Sequence, residues 1–180
     1  MPAKISPGCG RRASGSCRKP SDRALPAFAK VHPVRHKAQD MFGLVADIER
    51  YPEFVPLCEA LTIRSRREKG GRSILIADMT VGYKAIRETF TSQVLLNPAE
   101  LEIHAQYLDG PFRYLDNRWS FAETGPGSCD VHFAIDYEFR SRVLAALMGA
   151  MFERAFARFT RAFEERANAV YGTDSAPPSV

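Results

Sequence analysis

The sequence predicts an α+β fold: a curved antiparallel sheet of about seven strands wrapped around a long C-terminal helix, with two short helices after the first strand. Three observations carry that expectation. From Ser141 to about Tyr171 the residues Leu144, Leu147, Met148, Met151, Phe152, Ala155, Phe156, Phe159, Ala162 and Phe163 recur at spacings of three and four, which puts them on one side of a helix. Residues 60–139 instead alternate with period two between turn signals. Finally, an apolar helix stripe must be buried against something, and the sheet is the only large partner the chain offers. A single helix laid into a curved sheet tends to enclose a cavity.

The first strand is read over Ala27–Val34, with Phe28 and Val31 apolar. Ala38–Ile48 follows as a helix carrying Met41, Phe42, Leu44, Val45 and Ile48. Pro52 and Pro56 stop it and impose a short, bent connector over residues 51–58. Ala60–Arg67 and Ser73–Tyr83 form a hairpin about Gly70-Gly71. The next strand runs from Tyr83 or Lys84 to Leu96, turned by Asn97-Pro98; Glu100–Leu108 is turned by Asp109-Gly110-Pro111; Phe112–Ala122 leads to the turn at Gly125-Pro126-Gly127; and Cys129–Phe139 closes the sheet. Cys129, Val131, Phe133, Ile135, Tyr137 and Phe139 share one face, opposite Asp130, His132, Asp136 and Glu138. Leu101, Ile103, Ala105 and Tyr107 alternate likewise with Glu102, His104 and Gln106. One wet face and one dry face mark an antiparallel sheet covered on one side.

With 180 residues, 45% of them hydrophobic, the chain has enough material for one domain with a proper core. That domain is expected over residues 26–172, between a disordered basic tail at 1–25 and a disordered C-terminal tail at 173–180. The net charge of +4 is concentrated in the first tail, where Lys4, Arg11, Arg12, Arg18, Lys19 and Arg23 face the single acid Asp22. The remainder is close to neutral, which argues against a DNA-binding domain. Prolines and glycines in the tail break up an amphipathic presequence helix and favour a plain unstructured extension. No run of about 18 apolar residues is present to span a membrane. Cys9, Cys17, Cys58 and Cys129 lack metal-site spacing and read as reduced thiols of a cytoplasmic protein.

Catalytic constellations are missing. His32, His36, His104 and His132 are scattered, and the strand alternation puts His104 and His132 on polar, solvated faces. There is no P-loop, GxGxxG, HExxH or GxSxG, and neither catalytic nor metal-ligating residues are assigned. Asp78 and Glu88 lie mid-strand on neighbouring segments, where they are expected to approach each other or Arg87. Arg154, Arg158 and Arg161 on the terminal helix are diluted by Glu153, Glu164 and Glu165, the pattern of a solvated helix face.

Facing assigns a cavity lining of Tyr83, Phe90, Tyr107, Trp119, Phe133, Ile135, Leu147, Met148, Met151, Phe152, Phe156 and Phe159, with Tyr83, Tyr107, Asn117 and Trp119 as hydrogen-bond donors. The competing reading of the same residues is a filled core. Tyr51, Phe54, Val55 and Leu57, set between prolines, form either an entrance lip touching a bilayer or a staple holding the short helix to the sheet edge.

The stretches MFGLVADIERYPEFVPLC (41–58), VGYKAIRETFTSQV (81–94), LDGPFRYLDNRWSF (108–121) and FERAFARFTRAFEERANAVYG (152–172) resemble the coenzyme Q-binding protein family, within the START-like (polyketide cyclase/dehydrase-like) helix-grip superfamily. The resemblance covers about residues 28–172. It implies a non-catalytic protein that binds ubiquinone or a related polyprenyl lipid, uses no catalytic cofactor, and supports respiratory electron transfer and quinone biosynthesis. It further implies a peripheral position on the cytoplasmic face of the inner membrane, or on the matrix side of the mitochondrial inner membrane in eukaryotic members. A bacterial branch that shares these motifs implies the alternative, a toxin-like protein that binds the large ribosomal subunit and blocks subunit association. An enzyme of the cyclase/aromatase kind is the third reading; it requires a convergent acid/base pair.

Overall fold

The computed structural model describes residues 28–83, 85–149 and 152–172, the side chains of 147–149 and 152–155 excepted. The elements run β1 (Phe28–Val34), α1 (Ala38–Ala46), a 3-10 turn (Ile48–Arg50), α2 (Tyr51–Phe54), β2 (Cys58–Lys69), β3 (Arg72–Tyr83), β4 (Ile86–Asn97), β5 (Glu102–Asp109), β6 (Phe112–Gly125), β7 (Ser128–Phe139), α3 (Arg142–Gly149) and α4 (Phe152–Tyr171). All seven strands join one antiparallel sheet in the order β1-β7-β6-β5-β4-β3-β2. The topology is the helix-grip arrangement expected from the sequence. The second of the two expected short helices falls inside the connector. Residues 51–54 close into a helical turn, because Pro52 in the first turn has no N–H to satisfy and a preset φ. The expected single helix is helical over Arg142–Gly149 and Phe152–Tyr171, and its passage through 150–151 lies outside the described residues. The expected tails also lie outside them.

Consecutive meander strands need tight turns and a source of curvature. Gly70 and Gly71 both have positive φ (59° and 74°), the geometry of a two-residue hairpin turn, and so fix the pairing of Lys69 with Arg72. At Gly110 a Cβ would lie 2.8 Å from the Phe90 Cβ, so the β5–β6 turn requires glycine. Register shifts between Ile63 and Ser65, Thr91 and Ser92, and Phe112 and Tyr114 bend the sheet around α4.

The dry core lies at the α1 end. Met41, Phe42, Leu44 and Val45 of α1 pack with Phe163 and Ala167 of α4 against Leu75, Ile103, Phe121, Cys129 and Val131 of the sheet. His36, itself buried, donates from Nε2 to Asn168 Oδ1 at 2.8 Å and ties the last turns of α4 to the entrance of α1. The N-terminus of α1 has no side-chain cap of its own; Glu123 of β6 reaches across, and its Oε2 accepts from the Ala38 N–H at 2.9 Å. Replacing Glu123 by alanine is expected to lower stability by about 1 kcal/mol and the thermal midpoint by roughly 2–4 °C, measured by circular dichroism.

Several polar residues find partners the strand pattern does not show. His104 is not simply solvated: its Nε2 lies 2.7 Å from Asp116 Oδ2 on the outer sheet face. Burial works against the Asp116 charge, but the hydrogen bond and charge of His104, then Arg118, hold the carboxyl below its ordinary range. The expected approach of Asp78 to Glu88 or Arg87 does not occur. Asp78 takes Arg64 at 2.6 Å and the Thr91 hydroxyl at 2.7 Å, whereas Arg87 pairs with Glu59 at 2.8 Å. The cause is register: Asp78 stands opposite Thr91, and Glu88 opposite Val81.

Candidate functional site

Beneath α4 the aromatic side chains of helix and sheet touch at Phe133–Phe156 and Trp119–Phe163, but the side chains between them do not fill the space. The result is a cavity of about 230 Å³. Its floor comes from inward-facing positions on six strands: Leu61; Ala77 and Met79; Phe90, Ser92 and Val94; Ile103 and Ala105; Leu115, Asn117 and Trp119; and Phe133 and Ile135. Phe156, Phe159 and Phe163 of α4 form the roof, and Val45, Ile48, Tyr51 and Val55 close one side. The alternation of β-strands explains the floor, since residues two apart face the same way. The roof follows from the three- and four-residue spacing on α4.

Six of the residues assigned to the lining from sequence meet here: Phe90, Trp119, Phe133, Ile135, Phe156 and Phe159. Two do not. Tyr83, the last residue of β3, is carried past the end of the cavity and lines a hollow of about 60 Å³ with Leu57, Phe112, Phe139 and Leu144. Tyr107 faces inward, but its ring packs against Phe112, with centroids 5.7 Å apart, and its hydroxyl is enclosed away from the cavity. The side chains of Leu147, Met148, Met151 and Phe152 lie outside the described residues. Sequence reasoning missed Phe163, Val45 and Ile48, which it placed only on helix stripes, and Leu61, Ala77, Met79, Val94, Ile103, Ala105 and Leu115, small and medium apolar side chains with nothing aromatic to draw attention to them.

The 51–57 segment packs down on the domain. Tyr51 and Phe54 meet Phe163 edge-on at 5.5 and 5.2 Å, and Val55 is buried. Arg166 of α4 holds Glu53 at 2.8 Å and lies over the Phe54 ring. None of Tyr51, Phe54, Val55 and Leu57 is among the exposed large apolar side chains. Leu57 adopts φ 70°, an uncommon value for a residue with a Cβ, where the chain turns from α2 into β2.

The cavity's polar groups are largely engaged by the protein. Trp119 Nε1 donates to Asn117 Oδ1 at 2.7 Å, Asn117 Nδ2 donates to the Ala134 carbonyl at 3.2 Å, and Ser92 adds a hydroxyl. The Tyr51 hydroxyl donates to the Val45 carbonyl at 2.5 Å. Burial, with smaller contributions from Cys58 and Asp47, pushes this phenol far above its ordinary range, so it stays protonated. The buried thiols follow the same rule: desolvation raises Cys58 and Cys129 to about 11, away from nucleophilic thiolate chemistry. Among the described residues, none that lines the cavity is Asp, Glu, His, Lys or Arg. The geometry therefore supports enclosing a hydrocarbon, and the described residues of the lining supply no convergent acid/base pair. Among the described residues, no group of three His, Cys, Asp or Glu can hold a metal ion, and no helix is long and apolar enough to cross a membrane.

Comparison with known proteins agrees with this architecture. The chain is 32% identical over 139 residues to the ribosome association toxin RatA of Vibrio cholerae, covering 77% of this chain and 93% of that protein. It is 31% identical over 157 residues to the mitochondrial coenzyme Q-binding protein COQ10 of Drosophila melanogaster, covering 85% of this chain and 61% of that longer protein. The crystal structure of the ZhuI aromatase/cyclase from Streptomyces sp. R1128 superposes with a TM-score of 0.70 over 85% of this chain and 98% of that one; at 18% identity this likeness shows the fold alone. The profile of the polyketide cyclase/dehydrase and lipid transport family matches residues 34–164, and with the seven-stranded sheet closed over α4 this chain belongs to that family.

Proposed function

We propose that this protein binds ubiquinone or a related polyprenyl lipid in the cavity beneath α4 and does not transform it. The carrying observation is a lining built almost entirely from carbon, with the Trp119, Asn117 and Tyr51 polar groups already hydrogen-bonded. Phe90, Trp119, Phe133, Ile135, Phe156 and Phe159 form the ligand-binding wall in this reading, with Tyr51 and Val55 closing it. At ~0.8 kcal/mol per buried CH₂, each fully enclosed isoprene unit contributes roughly 3–4 kcal/mol. The cavity, at about 230 Å³, is smaller than the ~300–1,000 Å³ usual for drug-sized ligands. It thus encloses part of a long chain and leaves the rest outside. Exchange of such a ligand takes place at a membrane surface, where a water-insoluble lipid resides. In this reading the protein sits peripherally on the inner membrane, where it supports respiratory electron transfer and quinone biosynthesis.

Trp119 is the only tryptophan and stands in the cavity wall, so its fluorescence reports occupancy. Titration with a short-tailed ubiquinone is expected to quench it saturably. Quenching that rises linearly without saturation contradicts binding.

A second reading, association with the ribosome, is favoured by the match to RatA along nearly the whole of that protein. Arg158 and Arg161 on the exposed side of α4, with Arg67 and Lys69 on the β2–β3 hairpin, are among the exposed cations that would meet phosphate. This reading requires co-sedimentation with ribosomes that falls steeply as salt rises. Unchanged co-sedimentation across the salt series counts against a phosphate-contacting surface.

A further inference from the structure

Two side-chain polar atoms among the described residues are buried with no hydrogen-bond partner: His32 Nε2 and the Tyr107 hydroxyl. Such orphans are rare in folded proteins and need a physical account. These two sit toward opposite ends of the inner surface. His32 pairs with Val131, which pairs with Phe121; Tyr107 lies beside the Gln106–Asp116 pair. Five residues of β6 separate those positions, about 16 Å along the strand.

The two differ in what they border. The Tyr107 ring packs edge-on against Phe112, and Tyr107 lines neither the main cavity nor the two smaller hollows. His32 lines a hollow of about 30 Å³ between β1 and α4, room for roughly one oxygen-sized group. Trp119, Phe133, Phe156 and Phe159 line both this hollow and the main cavity, so the two meet at a shared wall. The rim differs sharply from the interior: Lys30, Thr160 and Glu164 join His32 there. Glu164 Oε2 lies 3.6 Å from His32 Nε2, within ion-pair distance of a protonated imidazole but beyond hydrogen-bond reach. Lys30 Nζ lies over the Phe156 ring, 5.7 Å from its centroid, and the Thr160 hydroxyl donates to the Phe156 carbonyl at 3.0 Å.

We infer that the seam between β1 and α4 is the head-group subsite, where His32 Nε2 hydrogen-bonds a carbonyl or hydroxyl oxygen of an amphiphile whose hydrocarbon tail fills the cavity. This rests on the lipid-binding reading above and fixes the ligand's direction within it. An interior that offers almost no free polar atom accepts the tail; the polar rim, at the edge strand of the sheet, accepts the head. Lys30 supplies a second donor beside His32, and Glu164 an acceptor for a head-group hydroxyl. A hydrocarbon of the same length and without oxygen gains nothing at this seam, so the subsite is what separates a quinone from a plain polyprenyl chain.

The test uses the full chain at fixed pH with two probes: a short-tailed ubiquinone read by Trp119 quenching, and squalene read by its competition with that ubiquinone. Wild type is expected to prefer the quinone. In His32→Leu the quinone affinity falls about fivefold to tenfold, the net effect of one hydrogen bond, while the squalene affinity is unchanged. His32→Gln, which keeps a donor near the same place, recovers part of the loss. Without ligand, His32→Leu leaves the melting temperature nearly unchanged, because the nitrogen makes no hydrogen bond and its contact with the half-exposed Glu164 contributes little. The inference is overturned if His32→Leu binds both probes as wild type does, if it weakens both equally, or if Tyr107→Phe shows the selective loss instead. A wild-type protein that takes up neither probe overturns the lipid-binding reading itself.

Discussion

Replacing Ala105 by phenylalanine is expected to abolish ligand uptake while the protein stays folded. Ala105 faces the cavity from the middle of β5, between Val94 on one neighbour strand and Asn117 on the other. A phenyl ring there enters space that is already open, so the overpacking that normally penalises a larger core side chain does not arise. Covering apolar wall surface should leave stability unchanged or raise it by about 1–2 kcal/mol. The same ring displaces at least one isoprene unit, and losing roughly 3 kcal/mol of burial lowers affinity by about 100-fold. Urea unfolding and Trp119 quenching on one preparation read both effects. A variant that binds as wild type shows that the quinone sits elsewhere. A variant destabilised by several kcal/mol shows that these side chains close up as a filled core.

The second large effect concerns the joint that holds the roof in place. Phe163→Ala is expected to destabilise the domain by about 3–5 kcal/mol. Phe163 is 7% exposed, and its ring meets Tyr51, Phe54 and Trp119 at 5.5, 5.2 and 5.8 Å, so one side chain joins α4 to α2 and to the sheet. By contrast, Arg166 and Glu53 bridge the same two helices at 2.8 Å, but Glu53 is half exposed and pairs of that kind contribute at most about 1 kcal/mol. Apolar packing, not the ion pair, therefore fixes the helix pair that closes the cavity. A loss below about 1 kcal/mol for Phe163→Ala in equilibrium urea unfolding contradicts that assignment.

Much of this architecture is legible in the sequence, because period-two and helical spacing survive in long elements. Cys129–Phe139 alternates cleanly, and the stripe from Phe156 to Phe163 points one way, so spacing alone puts Phe133, Ile135, Phe156 and Phe159 on the inner surface. The Gly70-Gly71 turn similarly sets the start of the β2–β3 pairing. What defeats the reading farther along is irregularity. The register shift between Ile63 and Ser65 changes which β2 residues stand opposite β3, and no residue pattern announces it. Aromatic residues also draw attention that small ones do not. Tyr83 and Tyr107 face inward yet miss the cavity, since facing says nothing about how far along the strand the open space extends. Ala77 and Ala105 create that space by being small, a property visible only when the opposing α4 side chains are in place. The polar seam at His32 is hidden for a related reason: β1 and α4 are distant in sequence and meet only in the fold.

A domain of this design divides its labour along α4. The C-terminal turns are locked to α1 by packing and by the His36–Asn168 hydrogen bond, while the middle turns roof an incompletely filled interior. Rigidity at one end leaves the other free to hold a cavity without loss of the fold.

The central claim is tested most directly by native mass spectrometry, with organic extraction, of the protein purified gently from its own host. The account predicts a co-purified polyprenyl quinone or similar lipid, present in the wild type and absent from Ala105→Phe. A protein that emerges empty, and remains empty after incubation with added ubiquinone, contradicts it.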